Sequence, residues 1–414
     1  MSKKGFIIDS LLNITATTIP ILILQLISLP IVGSKLGGEE YGLVVTLISL
    51  FTLLSTPFGN VLNNIRLLQN EEYEKESIVG DFNYLLIRSI ILSSSLVILG
   101  TIYFEGTFSI YSIIMMIVIS SINLSREYLI VSFRITLNYK GILLNNIILS
   151  VGYLVGTVAF YFIGDWQLIF LIGYGFSLFY ILKNSNLLNE PTIKTKLFKK
   201  TTYSSCILLL SSILKNLMVY ADKLMLFPLL GTKAVSIYYS ATIMGKIISM
   251  AINPINSVIL SYIRKTKRFG TKKITFLLFG MSIIGIFGYF ISIIIGPYLL
   301  RILYREWAED SIKILYITSA TAIITVISSM INPFILRFTN INFQLIINGV
   351  YFILYIIFAF VFYNLYGLEG FCIGILLSSV INLVLMVSIF VWSNVKKGSV
   401  DKEMDDCFIN DKSI

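Results

Sequence analysis

The chain has 414 residues, of which 56% are hydrophobic, 14% aromatic and only 13% charged, with a formal net charge of +10 and no histidine. That balance excludes an ordinary soluble domain and places the chain in a bilayer. Most of the basic residues fall on loops of one side, where anionic lipid headgroups attract them, so the positive charge does not call for a nucleic-acid partner.

A bilayer crossing takes about 20 apolar residues. The sequence supplies about twelve such stretches, beginning near residues 6, 41, 78, 108, 141, 167, 203, 235, 274, 311, 342 and 370. The first follows Lys3 and Lys4, is too long for a signal-peptide core and lacks a small-residue cleavage site, so it is read as retained. If that end is cytoplasmic, the inner loops hold Arg66, Lys75, Arg134, Lys140, the lysines from Lys194 to Lys200, Arg264 to Lys273, Arg337, Lys396 and Lys397. The outer loops then hold only Lys35, Lys233, Arg301 and Arg305, an asymmetry that places both termini in the cytoplasm. The expected fold is an all-α integral membrane protein with two six-helix lobes around a central cavity.

Between the sixth and seventh spans lies a polar stretch with Asn184, Asn186, Asn189, Pro191 and five lysines. It divides the chain into an N-terminal lobe (1–182), a cytoplasmic linker (183–202), a C-terminal lobe (203–395) and a polar tail (396–414). Leu36-Gly37 recurs as Leu230-Gly231, an offset of 194 residues, and Val118-Ile119-Ser120-Ser121 recurs as Val326-Ile327-Ser328-Ser329. Six spans per half give both halves the same orientation, hence an expected pseudo-two-fold axis along the membrane normal. Gly152 and Gly156 form a G-x-x-x-G pair suited to close helix approach.

Polar stripes run inside several spans. In the eighth, Tyr239, Thr242, Lys246, Ser249, Asn253 and Asn256 alternate at spacings of three and four and so share one face. The second span repeats the pattern with Thr46, Ser49, Thr56, Asn60 and Asn63, but has Leu53 where the eighth has Lys246. Ser204, Ser211, Lys215 and Asp222 mark the seventh span, and Asp9, Asn13 and Thr17 the first, with Gln25 and Ser28 beyond them. These four spans are expected to wall the cavity. A charge in the hydrocarbon region costs about 2.5 to 3.5 kcal/mol, so Lys215, Lys246 and Arg88 need water or a partner, unless they snorkel or fix helix packing. Asp222-Lys223 suits a gate or coupling group, and equally a topological anchor. Pro57 and Pro254 kink the second and eighth spans at comparable depth, as hinges or as static bends.

The chain lacks a phosphate-binding loop, and its Cys206, Cys372 and Cys407 have no metal or redox spacing. No catalytic residue, metal site or cofactor is expected, and a carrier is favoured over a membrane glycan polymerase, which would need a larger outer loop. With A-D-K-L-M-L at 221–226, L-G at 230–231, I-Y at 237–238 and L-G-G-E-E-Y-G at 36–42, the chain resembles the Wzx-type polysaccharide-biosynthesis flippases. These belong to the multidrug, oligosaccharidyl-lipid and polysaccharide exporter superfamily.

That resemblance implies alternating access in the bacterial cytoplasmic membrane. The substrate would be an undecaprenyl-pyrophosphate-linked oligosaccharide for O-antigen or capsule, and the partners polysaccharide polymerase and chain-length machinery. It implies a cationic cavity, for which Lys215, Lys246, Arg66 and Arg88 are the local candidates, with Tyr239, Asn253, Asn13 and Asn63 as further substrate-binding positions. Two departures stand out: Ser236 where the turn often has glycine, and no mid-membrane basic residue in the first span, which puts the expected cavity charge mainly in the second half. The alternative is a small-molecule or drug exporter of the same superfamily.

Overall fold

The computed structural model describes residues 17–250, 271–338 and 341–410, and among them all regular structure is helical. Among the described residues, nine helices are long and apolar enough to cross a membrane. The first, α1 (Thr17–Lys75), has 59 residues. At 1.5 Å per residue it would extend about 88 Å, far more than a single crossing. It is broken at Gly37 (φ 79°, ψ 172°), a backbone conformation that favours glycine. Its two arms lie side by side. Residues between Thr17 and Leu24 of the first arm line a cavity with Arg134, which donates a hydrogen bond to Asn64 of the second.

The helices that follow are α2 (Asp81–Glu105), α3 (Ile110–Leu129), the short α4 (Val131–Ile135), α5 (Tyr139–Ile163) and α6 (Gln167–Asn184). Ser109 caps α3 by accepting from the Ser112 amide, and Asn138 caps α5 by accepting from Gly141. Then come α7 (Phe198–Met250), α8 (Thr271–Leu303), α9 (Ala308–Phe338) and α10 (Ile341–Asn410). Helix α7 breaks at Gly231 with φ 80° and ψ 179°, nearly the angles of Gly37. In α10 the break is at Tyr366-Gly367. There the chain folds back on itself: a Cβ on Gly370 would lie 1.9 Å from the Phe362 carbonyl oxygen, and one on Gly374 would lie 2.4 Å from that of Phe358. Counting the two arms of α1, α7 and α10 separately gives the twelve expected crossings.

The chain divides into two compact units. The first comprises Met1–Tyr239 with Leu303–Trp307, the second Ser240–Ile302 with Ala308–Ile414. In the first, Phe58, Leu62, Tyr73, Phe82, Leu124 and Tyr128 form part of a core where α1, α2 and α3 meet. Helices α5 and α6 pack backbone to backbone, because a Cβ on Gly152 would meet Gly173 Cα at 2.8 Å and one on Gly156 would meet Ile169 Cα at 2.6 Å. The G-x-x-x-G pair therefore serves close approach. Isoleucines, leucines and aromatics such as Ile91, Leu99, Val158 and Phe162 stay exposed and supply a lipid-facing surface. In the second unit, glycines again set the spacing: Gly245 faces Ala322, and Gly285 faces Ile323 and Ile327. Met281, Met330, Phe334 and Phe390 fill part of the core there.

Within the first unit the two glycine breaks bring their helices into contact. A Cβ on Gly42 would fall 1.8 Å from the Thr232 carbonyl oxygen, while Ser236 Oγ donates to the Gly38 carbonyl at 2.5 Å. Because 38 and 42 correspond to 232 and 236 at the sequence offset of 194, residue i meets the counterpart of j and j meets the counterpart of i. Ser236, the departure at the glycine position, is thus a hydrogen-bond donor across a contact whose other side is glycine.

Candidate functional site

A polar cluster sits inside the first unit, between α1 and α3. Asn123 of α3 donates to Ser55 Oγ (2.7 Å) and Thr56 Oγ1 (3.2 Å) of α1, and accepts from Arg126 at 3.2 Å. Arg126 also pairs with Glu127, and its guanidinium lies 5.1 Å from the centre of the Tyr174 ring. Asn63 donates to the Glu127 carbonyl at 2.8 Å and accepts from Arg134, which also reaches Asn64. Two observations explain the tight assembly. Gly59 lets α1 approach so closely that a Cβ there would be 2.6 Å from both Glu127 Cβ and the Leu124 carbonyl oxygen. Pro57 interrupts the α1 ladder two residues earlier, and Ser93 of α2 donates to the neighbouring Leu54 carbonyl at 2.8 Å.

This cluster borders a cavity of about 310 Å³. Its polar lining is Thr17, Arg126, Glu127, Arg134, Asn146 and Tyr153, and its apolar lining includes Pro20, Leu24, Ile142 and Leu149. Two guanidinium groups against one carboxylate leave a net positive site in a low-dielectric surround, suited to an anion. Arg126 and Glu127 escape a reading based on long polar stripes, because a single charged pair is averaged away in a 20-residue apolar window. The signal was the adjacent Arg126-Glu127 within α3. Arg134, counted above only as an inner-loop charge, lies on α4 and lines the cavity.

The other expected positions fall in different places. Thr46 and Ser49 bond back to the carbonyls of Gly42 and Val45 in their own helix, so that part of the stripe is packed against protein. Tyr239 is buried and donates to Gln25 at 2.9 Å. Gln25 lies in a π-helical turn, Leu24–Ser28. The Tyr239 ring meets Tyr41 edge-on at 6.1 Å, and Tyr41 in turn contacts Trp307 (5.4 Å) and bonds Tyr304 hydroxyl to hydroxyl at 3.0 Å. Burial pushes the Tyr304 phenol up from its ordinary value, so it stays protonated at neutral pH.

Asp222 and Lys223 are both buried and pair with each other at 2.6 Å. Lys215 is exposed on α7, and Lys246 is half-buried on the second arm of the same helix. Arg88 is exposed on α2. Asn13 and Asn253, like Asp9, Pro254 and Asn256, lie outside the described residues.

Arg66 is engaged elsewhere. It grips Glu190 through two hydrogen bonds (2.6 and 2.8 Å) and stacks 4.7 Å from the Phe82 ring centre. Arg66 and Glu190 also line a second, more open basin of about 960 Å³ with Asn70, Ser132, Asn138 and Asn186. The ion pair is one of several links that strap residues 187–201 across the ends of α1 and α2. Asn83 donates to the carbonyls of Leu187, Leu188 and Glu190, Asp81 accepts from the Thr195 amide, and Lys200 bonds Glu72. Arg66→Gln should leave the half-buried Glu190 without its cation at a cost of about 1 to 3 kcal/mol. The expected result is tryptic cleavage at Lys194 and Lys196 in the variant under conditions where the parent resists; equal resistance would show that Arg66 does not hold the strap.

No protein-family model matches the sequence, and no curated protein matches it. Solved structures do. The lipid II flippase MurJ in an inward closed conformation superposes with a TM-score of 0.68 at 15% identity, covering 94% of this chain and 89% of that one. A MATE protein in the straight conformation gives 0.61 at 15% identity, with 97% of each chain covered. An outward-facing multidrug resistance MATE family transporter of the MOP superfamily gives 0.59 at 15% identity, with 94% of each covered. At these identities the likeness is one of fold: this is an all-α, multi-pass membrane protein with the fold of the MATE and MurJ transporters.

Proposed function

We propose that this chain is a flippase that moves polyprenyl-pyrophosphate-linked oligosaccharide repeat units across the bacterial cytoplasmic membrane by alternating access. Two six-helix halves, 1–182 and 203–395, would do so with both termini and the linker 183–202 in the cytoplasm. The observation that carries this reading is the cavity beside Arg126 and Arg134. Two guanidinium groups outnumber the single carboxylate of Glu127 there, and the other polar groups facing the space are amide, hydroxyl and phenol. Guanidinium groups match a pyrophosphate, and neutral hydrogen-bonding groups match sugar hydroxyls. The fold shared with MurJ, a lipid II flippase, supports a lipid-linked substrate. O-antigen or capsule synthesis and an association with polymerase and chain-length proteins belong to the same proposal.

A second reading, export of small cationic compounds, draws on Glu127 in the same lining and on the MATE structures. Expression in a strain lacking its own repeat-unit flippase separates the two. Restored surface glycan with unchanged dye resistance is the expected result. Dye resistance without glycan would favour export, and neither phenotype from a protein that inserts normally would refute both.

A further inference from the structure

The lipid-facing flank of α2 carries two cations on one aromatic platform. The Arg88 guanidinium lies 4.5 Å from the centre of the Tyr84 ring, and Lys194 Nζ lies 5.0 Å from the same ring and 5.5 Å from that of Phe198. Tyr84 and Phe198 meet edge to face at 5.4 Å. Like charges gathered on one platform repel unless an anion joins them.

No carboxylate does so among the described residues, because the acids around the strap are already engaged. Glu190 holds Arg66, Glu76 holds Lys196, and Glu72 holds Lys200. Asp81 accepts from the Tyr73 hydroxyl and from Thr195. The same bonds fix the platform. Thr195, pinned to Asp81, sets Lys194 beside Tyr84, and Gly80 (φ 133°) gives room for the strap, since a Cβ there would lie 2.5 Å from Ile193 and 2.8 Å from the Pro191 carbonyl. Ile87 and Ile91 beside Arg88, and Ile193 beside Lys194, are exposed apolar side chains.

We propose that Tyr84, Arg88, Lys194 and Phe198 form a binding site for the phosphate headgroup of an anionic phospholipid. Its acyl chains lie along Ile87 and Ile91. The distribution of lysine and arginine assigns this end of α2 to the cytoplasmic leaflet, where such lipids concentrate. Cations resting on ring faces are held in place, and Arg88 presents a planar donor fork to phosphate oxygens. The site is separate from the cavity beside Arg126 and stands or falls independently of the transported substrate.

The test uses the purified full chain in detergent. Native mass spectrometry measures retention of phosphatidylglycerol and of phosphatidylcholine with the same acyl chains, and of undecaprenyl phosphate in a third arm. Two surface cations predict about tenfold stronger retention of phosphatidylglycerol over phosphatidylcholine. In Arg88→Gln/Lys194→Gln the preference should vanish while the lipid-free melting temperature stays unchanged, both side chains being exposed. Tyr84→Leu should lower the preference in part. Undiminished phosphatidylglycerol retention in the double variant would overturn the site. Preferential retention of undecaprenyl phosphate by the parent that is lost in Arg88→Gln/Lys194→Gln would overturn the assignment to phospholipid.

Discussion

Arg126→Gln should abolish translocation of a lipid-linked oligosaccharide and lower the stability of the protein by about 3 kcal/mol, the scale of breaking a buried ion pair from one side. Arg126 is 6% exposed and Glu127 half-buried, so its replacement takes from the Glu127 carboxylate the cation paired with it at the cavity wall. The guanidinium also forms a hydrogen bond with Asn123 and stacks on Tyr174, contacts that glutamine cannot reproduce together. Loss of transport alone would not separate a binding role from damage to the fold. Arg126→Gln/Glu127→Gln does, because it removes both charges and should recover most of the melting temperature while transport stays absent. Thermal unfolding in detergent and substrate accessibility in reconstituted vesicles read the two effects. Transport by the double variant at the parent rate would remove Arg126 from the site.

Gly42→Ala should be the most damaging single-methyl change in the first unit, at about 3 kcal/mol, the upper part of the range for overpacking. The added carbon would lie 1.8 Å from a backbone oxygen, that of Thr232, and no rotamer change can relieve a clash with the main chain. The helices would have to part, loosening the bond from Ser236 to the Gly38 carbonyl and the ring contacts of the adjacent Tyr41 with Tyr239 and Trp307. Adding Ser236→Gly should not restore the melting temperature, since the obstacle is the carbonyl of Thr232. Full recovery in that double variant, or an unchanged melting temperature in Gly42→Ala, would refute this account.

The residues themselves explain which features were legible in the sequence. The breaks at Gly37 and Gly231 were readable because both need a backbone conformation that favours glycine and both follow leucine at the same offset. Gly152 and Gly156 were readable because close helix approach needs missing side chains at a spacing of four. Polar stripes were also visible, but not what they faced: Thr46 and Ser49 turn out to bond their own helix, whereas Asn63 joins the cluster around Glu127. Arg126-Glu127 was missed because two adjacent opposite charges cancel in net charge and are diluted in a long apolar window, and their importance depends on Asn63 and Arg134 converging from other elements. The strap was hidden for a related reason. Arg66 and Glu190, or Glu72 and Lys200, are more than a hundred residues apart, and nothing local marks a partner at that distance.

The reciprocal contact of Gly38 and Gly42 with Ser236 and Thr232 has the geometry of a homodimer's two-fold interface, in which one patch meets its own copy. A true homodimer must place the same residue at equivalent positions on both sides of its axis. Two glycines there would forgo the hydroxyl bond, and two serines would lose the close approach that Gly42 permits. Within one polypeptide that constraint is absent, so the two sides can differ, one as the hollow and the other as the donor. A contact within one chain can thus combine a close approach and a hydrogen bond that the symmetric assembly its geometry resembles would have to choose between.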